Sequence, residues 1–418
     1  MNKISQETPR ESFRKIMHYK KPDRLFNWNW TFGHFGGDDR GTQFWQQTID
    51  RWYQEGLPAE IDTQEAVNDY FQVDRYLQLR IKWGIWPESE KKIVETSDEF
   101  EISYNEEGML VKQFKGKSSE LSMPEYIRRP IATREDWNRF KRERLDPEAP
   151  GRQTFKIVKD GHTLIESSPG APNFNQARNL LLNSHLPIEL FVGSLFGVLR
   201  NWLGLEEISY ALHDDENWIA EMMEHLADLY LSVVKKSLQA LNVPVDFAVW
   251  WEDMAYNAGP LISPAHFKKL MVPNYRPVNE ELHKWGIDII SVDSDGNCEK
   301  LIPLWLESGI NCVFPNEVAA GMDVMSLRKK FGSELLLIGG IDKRALSKDS
   351  KSIQDELQRR LPLLAQGGYL PCVDHSVPPD ISFENYTYYW QQQLEQGNHI
   401  LKRQEALYQD NQNGSRVI

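Results

Sequence analysis

The chain has 418 residues, 40% of them hydrophobic, which is enough apolar material for a large core and argues against wholesale disorder. Its 61 acidic and 48 basic side chains give a net charge of -13, which repels a phosphate backbone and excludes nucleic acid as the expected partner. No apolar run is long enough to span a bilayer, and the opening "MNKISQETPRESFRK" lacks a signal-peptide core. Three scattered cysteines (Cys298, Cys312, Cys372) make no C-x-x-C pair, so the expectation is a cytoplasmic protein with reduced thiols and no membrane contact.

In chain order, a first strand is predicted at "RLFNWNW" (24–30) and a second within 75–90. Residues 92–117 alternate apolar and polar around "NEEG", the pattern of an inserted β-hairpin. Residues 130–185 read as a lid or connecting segment. From there one phrase repeats: an apolar strand, a polar or acidic end, then an amphipathic helix. The strands are "PIELFVGS" (187–194), "VDFAVWWED" (245–253), "IDIISVDSDG" (287–296), "NCVFPNE" (311–317), "ELLLIGGID" (334–342) and "GGYLPCVDH" (367–375).

The helices between them carry start and stop signals. Ser263 followed by Pro264 is an N-cap with proline at the first helical position. Leu301, Leu304 and Trp305 keep one face apolar before Gly309, and Asp323 opens a helix through Leu327 that stops at Gly332. Ile353, Leu357, Leu361 and Leu364 form a stripe ended by Gly367 and Gly368. The closing "YQDNQNGSRVI" is polar and expected to fray. Strands and helices at this spacing imply βα units on a parallel sheet. Six units plus two earlier strands make a (β/α)8 TIM barrel. The competing open doubly wound sheet lacks its Gly-rich dinucleotide turn. The expected organisation is one barrel over residues 1–400, carrying the 92–117 hairpin, with a polar tail at 401–418.

Active sites of parallel barrels lie at the carboxyl ends of the strands. Those ends read Glu252-Asp253, Asp293 and Asp295, Asn316-Glu317, Asp342-Lys343 and Asp374-His375. On the fifth strand, alternation places Ile289, Ser291, Asp293 and Asp295 on one face and Ile290 and Val292 on the other. The apolar face belongs against the helices, so the aspartates point into the barrel and toward its mouth.

Three readings of this rim stay open. A divalent cation neutralises it, held by carboxylate oxygens and one imidazole. One carboxyl of raised pKa acts as a general acid beside an ionised neighbour, with Asp295, His375 and Glu252 as the catalytic candidates. Or Asp293, Asp342 and Asp374 only cap helices or pair with Lys343 and Arg344. Trp28, Trp30 and His34 near the first strand, with Trp251 and Glu317 at the fourth and sixth, are the candidates for lining a small-molecule pocket.

The stretches "EDMAYNAGPLISPAHFKKLMVPNYRPV", "VDSDGNCEKLIPLWLESGIN", "NEVAAGMDV", "LIGGIDKRAL" and "GGYLPCVDHSVPPDISFEN" together resemble the uroporphyrinogen decarboxylase superfamily over roughly residues 187–395. The resemblance implies a (β/α)8 barrel and an enzyme, either a decarboxylase or a zinc-dependent methyltransferase that works with corrinoids and thiols. The decarboxylase proper keeps an arginine-rich loop after its first strand to hold a polycarboxylate. Here the same place reads "NWNWTFGHFGGDD", which has no arginine pair and two acids instead.

The methyltransferase branch holds zinc through His-x-Cys after the fifth strand and a cysteine near the eighth. The matching positions here are Asp293-Ser294-Asp295 and His375, with Glu252 or Glu317 to complete the set. What the resemblance then implies is a metal, most naturally zinc, that assists demethylation of a small O- or N-methylated compound, with the corrinoid supplied by a partner protein. The alternative is a lyase acting on a tetrapyrrole or another carboxylic acid without a cofactor. A homo-oligomer is compatible with either.

Overall fold

The computed structural model describes residues 7–28, 46–115, 124–171 and 173–414. The six strands expected in the second half all form, as Ile188–Gly193, Phe247–Trp251, Ile290–Asp293, Cys312–Phe314, Leu336–Ile338 and Tyr369–Leu370. The strand expected within 75–90 is Leu77–Ile81. Among the described residues, these seven stand side by side in sequence order, each parallel to the next. Their apolar runs are buried on both faces, as a parallel sheet covered by helices requires.

Alternation divides the core in two. Ile290, Val292, Trp250 and Leu79 face outward into the layer under the helices. Phe26, Tyr76, Phe191, Val249, Ile289, Cys312, Leu336 and Leu370, one from each barrel segment, meet in a separate interior cluster. The helix Pro9–Met17 closes the foot of that cluster with Phe13, Ile16 and Met17. A capping box starts this helix: Thr8 Oγ1 accepts from the Glu11 amide at 3.2 Å, and the Glu11 carboxylate accepts from the Thr8 amide at 2.8 Å. The architecture is a (β/α)8 TIM barrel.

The first barrel segment departs from expectation. Residues 24–28 run without a regular ladder, although Phe26 and Trp28 still join the interior cluster. They are tied to the foot of the second strand, where the Asp74 amide donates to Asn27 O at 2.8 Å. Higher up, the free edge of Leu77–Ile81 is taken by an antiparallel hairpin, Phe155–Lys159 and His162–Glu166. Part of the segment expected as a lid therefore extends the barrel sheet.

The expected hairpin at 92–117 belongs to a four-stranded antiparallel sheet, Lys92–Thr96, Phe100–Tyr104, Leu110–Phe114 and Glu125–Arg128. The final helix runs Phe383–Gly414, well past residue 400, and Leu401 is buried. Helix signals hold elsewhere: Ser263 Oγ accepts from the His266 amide at 3.1 Å, and Asp323 Oδ1 from the Ser326 amide at 2.8 Å. Among the described residues, no helix is long and apolar enough to cross a membrane.

Candidate functional site at the barrel mouth

Asp293 ends the fifth strand on its inner face, opposite Trp251 in the parallel register, and is buried. Among the described residues nothing hydrogen-bonds to its carboxyl. Burial pushes this carboxyl well above the ordinary carboxylate range, and the charges of Asp295, Asp253 and Glu189 push it further. Asp295 follows at the turn into Gly296, whose φ of 74° favours glycine. A Cβ there would come within 2.6 Å of the Ala255 backbone. That close approach fixes the loop carrying Asp295, whose Oδ2 lies 3.4 Å from His375 Nε2. Its Oδ1 is buried and has no hydrogen-bond partner among the described residues. The structure thus brings Asp293, Asp295 and His375 together, with half-buried Trp251 alongside.

Glu252 does not join them. It follows Trp250 on the outward face and is fully buried. Its carboxylate accepts from the Leu195, Phe196 and Gly197 amides at 2.8, 2.8 and 3.1 Å and from the Tyr275 hydroxyl at 2.7 Å. It therefore holds the start of the helix Phe196–Leu203. Gly197 is needed for this approach, since a Cβ would sit 2.8 Å from Glu252 O. Burial raises the Glu252 carboxyl to about 7, against the pull of these donors.

Asp342 and Asp374 also follow the plain reading. Asp342 caps the short helix Lys343–Leu346 and pairs with Arg344 at 2.8 Å. Asp374 ties two neighbouring loops by accepting from the Val318 and Lys343 amides at 2.8 and 3.1 Å. Burial raises it to about 6. Glu317 stays at the rim, accepting from the Gly296 amide at 3.2 Å with Lys343 Nζ 4.0 Å away. Trp28 is packed inside the barrel, edge-on to Tyr76 at 5.4 Å, and its buried indole N–H has no partner among the described residues. Trp30 and His34 lie outside the described residues.

Four participants were not among the sequence candidates. Asp253, not Glu252, carries the fourth strand's inner face to the mouth. Its φ of 41° is unusual outside glycine, and Arg200 holds its carboxylate at 2.8 Å. Burial raises the Asp253 carboxyl and the Asp295 charge adds to this, while Arg200 and His375 oppose it. Deeper on the third strand, Glu189 is fully buried, and desolvation lifts its pKa. The fourth is Arg80, 3.5 Å from Glu189, on the inner face of Leu77–Ile81.

Asp293, Asp295 and His375 do not fit a metal as a ligand set. Asp295 Oδ2 faces His375 Nε2 at 3.4 Å. Among the described residues, no group of three or more His, Cys, Asp or Glu side chains could hold a metal ion.

The sequence model of the family described as uroporphyrinogen decarboxylase (URO-D) matches residues 124–392. Among solved structures, the chain resembles a methyltransferase from Methanosarcina mazei, with a TM-score of 0.53 and 10% identity over 93% of this chain and 98% of that one. A B12-independent methionine synthase from Shewanella sp. W3-18-1 aligns with a TM-score of 0.39 and 13% identity, over 87% of this chain and 88% of that one. At 10% identity the first of these is a likeness of fold alone. No curated protein matches the sequence. The family match spans more than half of the chain and falls on the barrel that carries these side chains: the chain belongs to the uroporphyrinogen decarboxylase family.

Proposed function

We propose that the barrel mouth removes a methyl group from a small O- or N-methylated compound, with Asp293 as the proton donor to the leaving group. The observation that carries this reading is the buried Asp293 carboxyl. It faces inward among Asp253, Asp295 and Glu189, and no described residue hydrogen-bonds to it. A carboxyl in that setting is kept protonated and can donate as the departing oxygen or nitrogen gains electrons. Asp295 and His375, in contact at 3.4 Å, are placed to return the proton to Asp293 afterwards. Trp251 supplies an apolar wall beside the reacting group.

The methyl acceptor comes from outside the chain, because all three of its thiols are buried. A corrinoid carried by a partner protein supplies the nucleophile for that role. The likeness to a methyltransferase fold agrees with this reading. The family's name favours a second one, in which the same protonated carboxyl delivers its proton to carbon after loss of carbon dioxide.

The test mixes the protein with reduced cobalamin and a panel of methyl ethers and methylamines, and follows the absorbance change on cobalamin methylation. Methylation by at least one donor is expected. If none reacts and the corresponding carboxylic acids release carbon dioxide, the lyase reading replaces this one.

A further inference from the structure

We infer that Arg80 is an anion-binding residue inside the barrel and that the substrate of the mouth carries a carboxylate. The inference rests on the proposed function only in taking the mouth as the substrate site. On Leu77–Ile81, alternation sends Leu77, Leu79 and Ile81 outward into the helix-facing core. Gln78 and Arg80 therefore share the inner face with Tyr76. The parallel register sets Arg80 beside Phe191 and Gln78 beside Glu189. The guanidinium lies over the Phe191 ring, 4.9 Å from its centre, and Trp83 stacks on that ring at 5.4 Å. Held in this way, the planar fork has lost much of its freedom before any ligand arrives.

Its donors are not used up by the described residues. The one ion pair of Arg80 among the described residues is with Glu189, at 3.5 Å, and none of its N–H groups hydrogen-bonds to another described residue. The other inward or buried arginines differ. Arg152 donates to the carbonyls of Asp146, Lys82, Gly84 and Arg144, and Arg360 is bound by Glu356 and Asp323. Glu189 is also a weak counter-ion, since complete burial favours its neutral form. A half-buried arginine with a free fork matches a carboxylate, which takes two parallel N–H bonds. A single guanidinium, with Glu189 as its one described counter-ion, suits a monoanion better than a phosphate dianion. The carboxylate end then points to Arg80, and the methyl-bearing end toward Asp293.

Calorimetric titration of the full chain with 4-methoxybenzoate and with its neutral isostere 4-methoxybenzamide tests this. The wild-type protein is expected to prefer the acid by about tenfold or more, the scale of a charge-assisted pair. Arg80→Gln should bring the two within about twofold. Arg80→Lys, which keeps the charge and loses the fork, should lose most of the preference and covers the case in which the glutamine variant does not fold. A wild-type protein that binds the acid no better than the amide, or not at all, overturns the inference, as does either variant that keeps the full preference. Because binding is read without methyl transfer, a carboxylate preference in a protein that transfers no methyl group defeats only the proposed reaction. Equal transfer from acidic and neutral donors, independent of Arg80, defeats only the anion site.

Discussion

Asp293 and Glu252 are both buried acids at strand ends, and their surroundings give them opposite roles. Glu252 has five donors and a helix start to hold, whereas Asp293 has three carboxyl neighbours and no donor among the described residues. Asp293→Asn keeps the shape and removes the titration. If Asp293 donates a proton to the leaving group, methyl transfer should fall by about 10²-fold or more, measured as turnover at saturating donor. Stability should move the other way. Because the folded-state pKa of Asp293 is raised, the folded protein holds this proton more tightly than the unfolded chain does. Its stabilising effect is therefore complete below the ordinary carboxyl range, near about 4, and is lost as the pH rises through the raised value. The asparagine variant escapes that loss. Urea unfolding should show it gaining on the wild type between pH 5 and pH 8, and a variant that loses ground over that interval would show that Asp293 is not held protonated. The candidate residues Asp293, Asp295 and His375 were legible because strand alternation and position in the βα repeat point to them directly. Arg80 was not legible, since its strand was only roughly bounded and one arginine in "LQLRI" carries no chemical signature by itself.

At the scale of elements, the rule that selected Asp293 had more to give. Applied to "FAVWWED", the same alternation puts Phe247, Val249, Trp251 and Asp253 on the inner face and sends Glu252 outward with Trp250, as the two core clusters record. The outward acid is an anchor between a strand and a helix. Glu252→Ala leaves three backbone amides and the Tyr275 hydroxyl buried without their acceptor, so it should destabilise the fold by about 3 kcal/mol or more. Denaturant titration checks this, and a loss under about 1 kcal/mol would mean the helix start re-satisfies itself. The hairpin on the barrel edge was legible in principle too. "FKIVKDGHTLIE" places Asp160-Gly161 between two alternating runs, and the φ angles of 51° and 80° there are those of a two-residue turn with both residues left-handed. The first strand was harder to bound from sequence: "RLFNWNW" has the residue types of a strand. Residues 24–28 run without a regular ladder, and the hairpin takes the edge of the neighbouring strand, a tertiary arrangement with no local sign.

Across the whole molecule, the interior cluster draws one side chain or more from every barrel segment, and the helix Pro9–Met17 seals its foot. No single βα unit can expose that cluster without opening its neighbours, so the barrel should unfold as one cooperative body despite its length. The cysteines report on this. Cys312 and Cys372 lie within the interior cluster, and Cys298 lies in the outer one. All three are buried, with burial pushing the Cys298 thiol up to about 12 and the Cys312 thiol higher still. Reaction with a thiol reagent needs access, and the folded barrel gives none to any of the three. In native buffer at pH 8, labelling of each cysteine should be at least about 10³-fold slower than in the unfolded chain, the suppression expected if only global opening exposes it. As urea is added, mass spectrometry of the labelled peptides should find the two layers becoming reactive together, with one midpoint. If Cys298 reacts at lower urea than Cys312 and Cys372, the helical layer detaches before the barrel opens, and the mouth is then built on a layer that moves independently of the strands carrying Asp293 and Arg80.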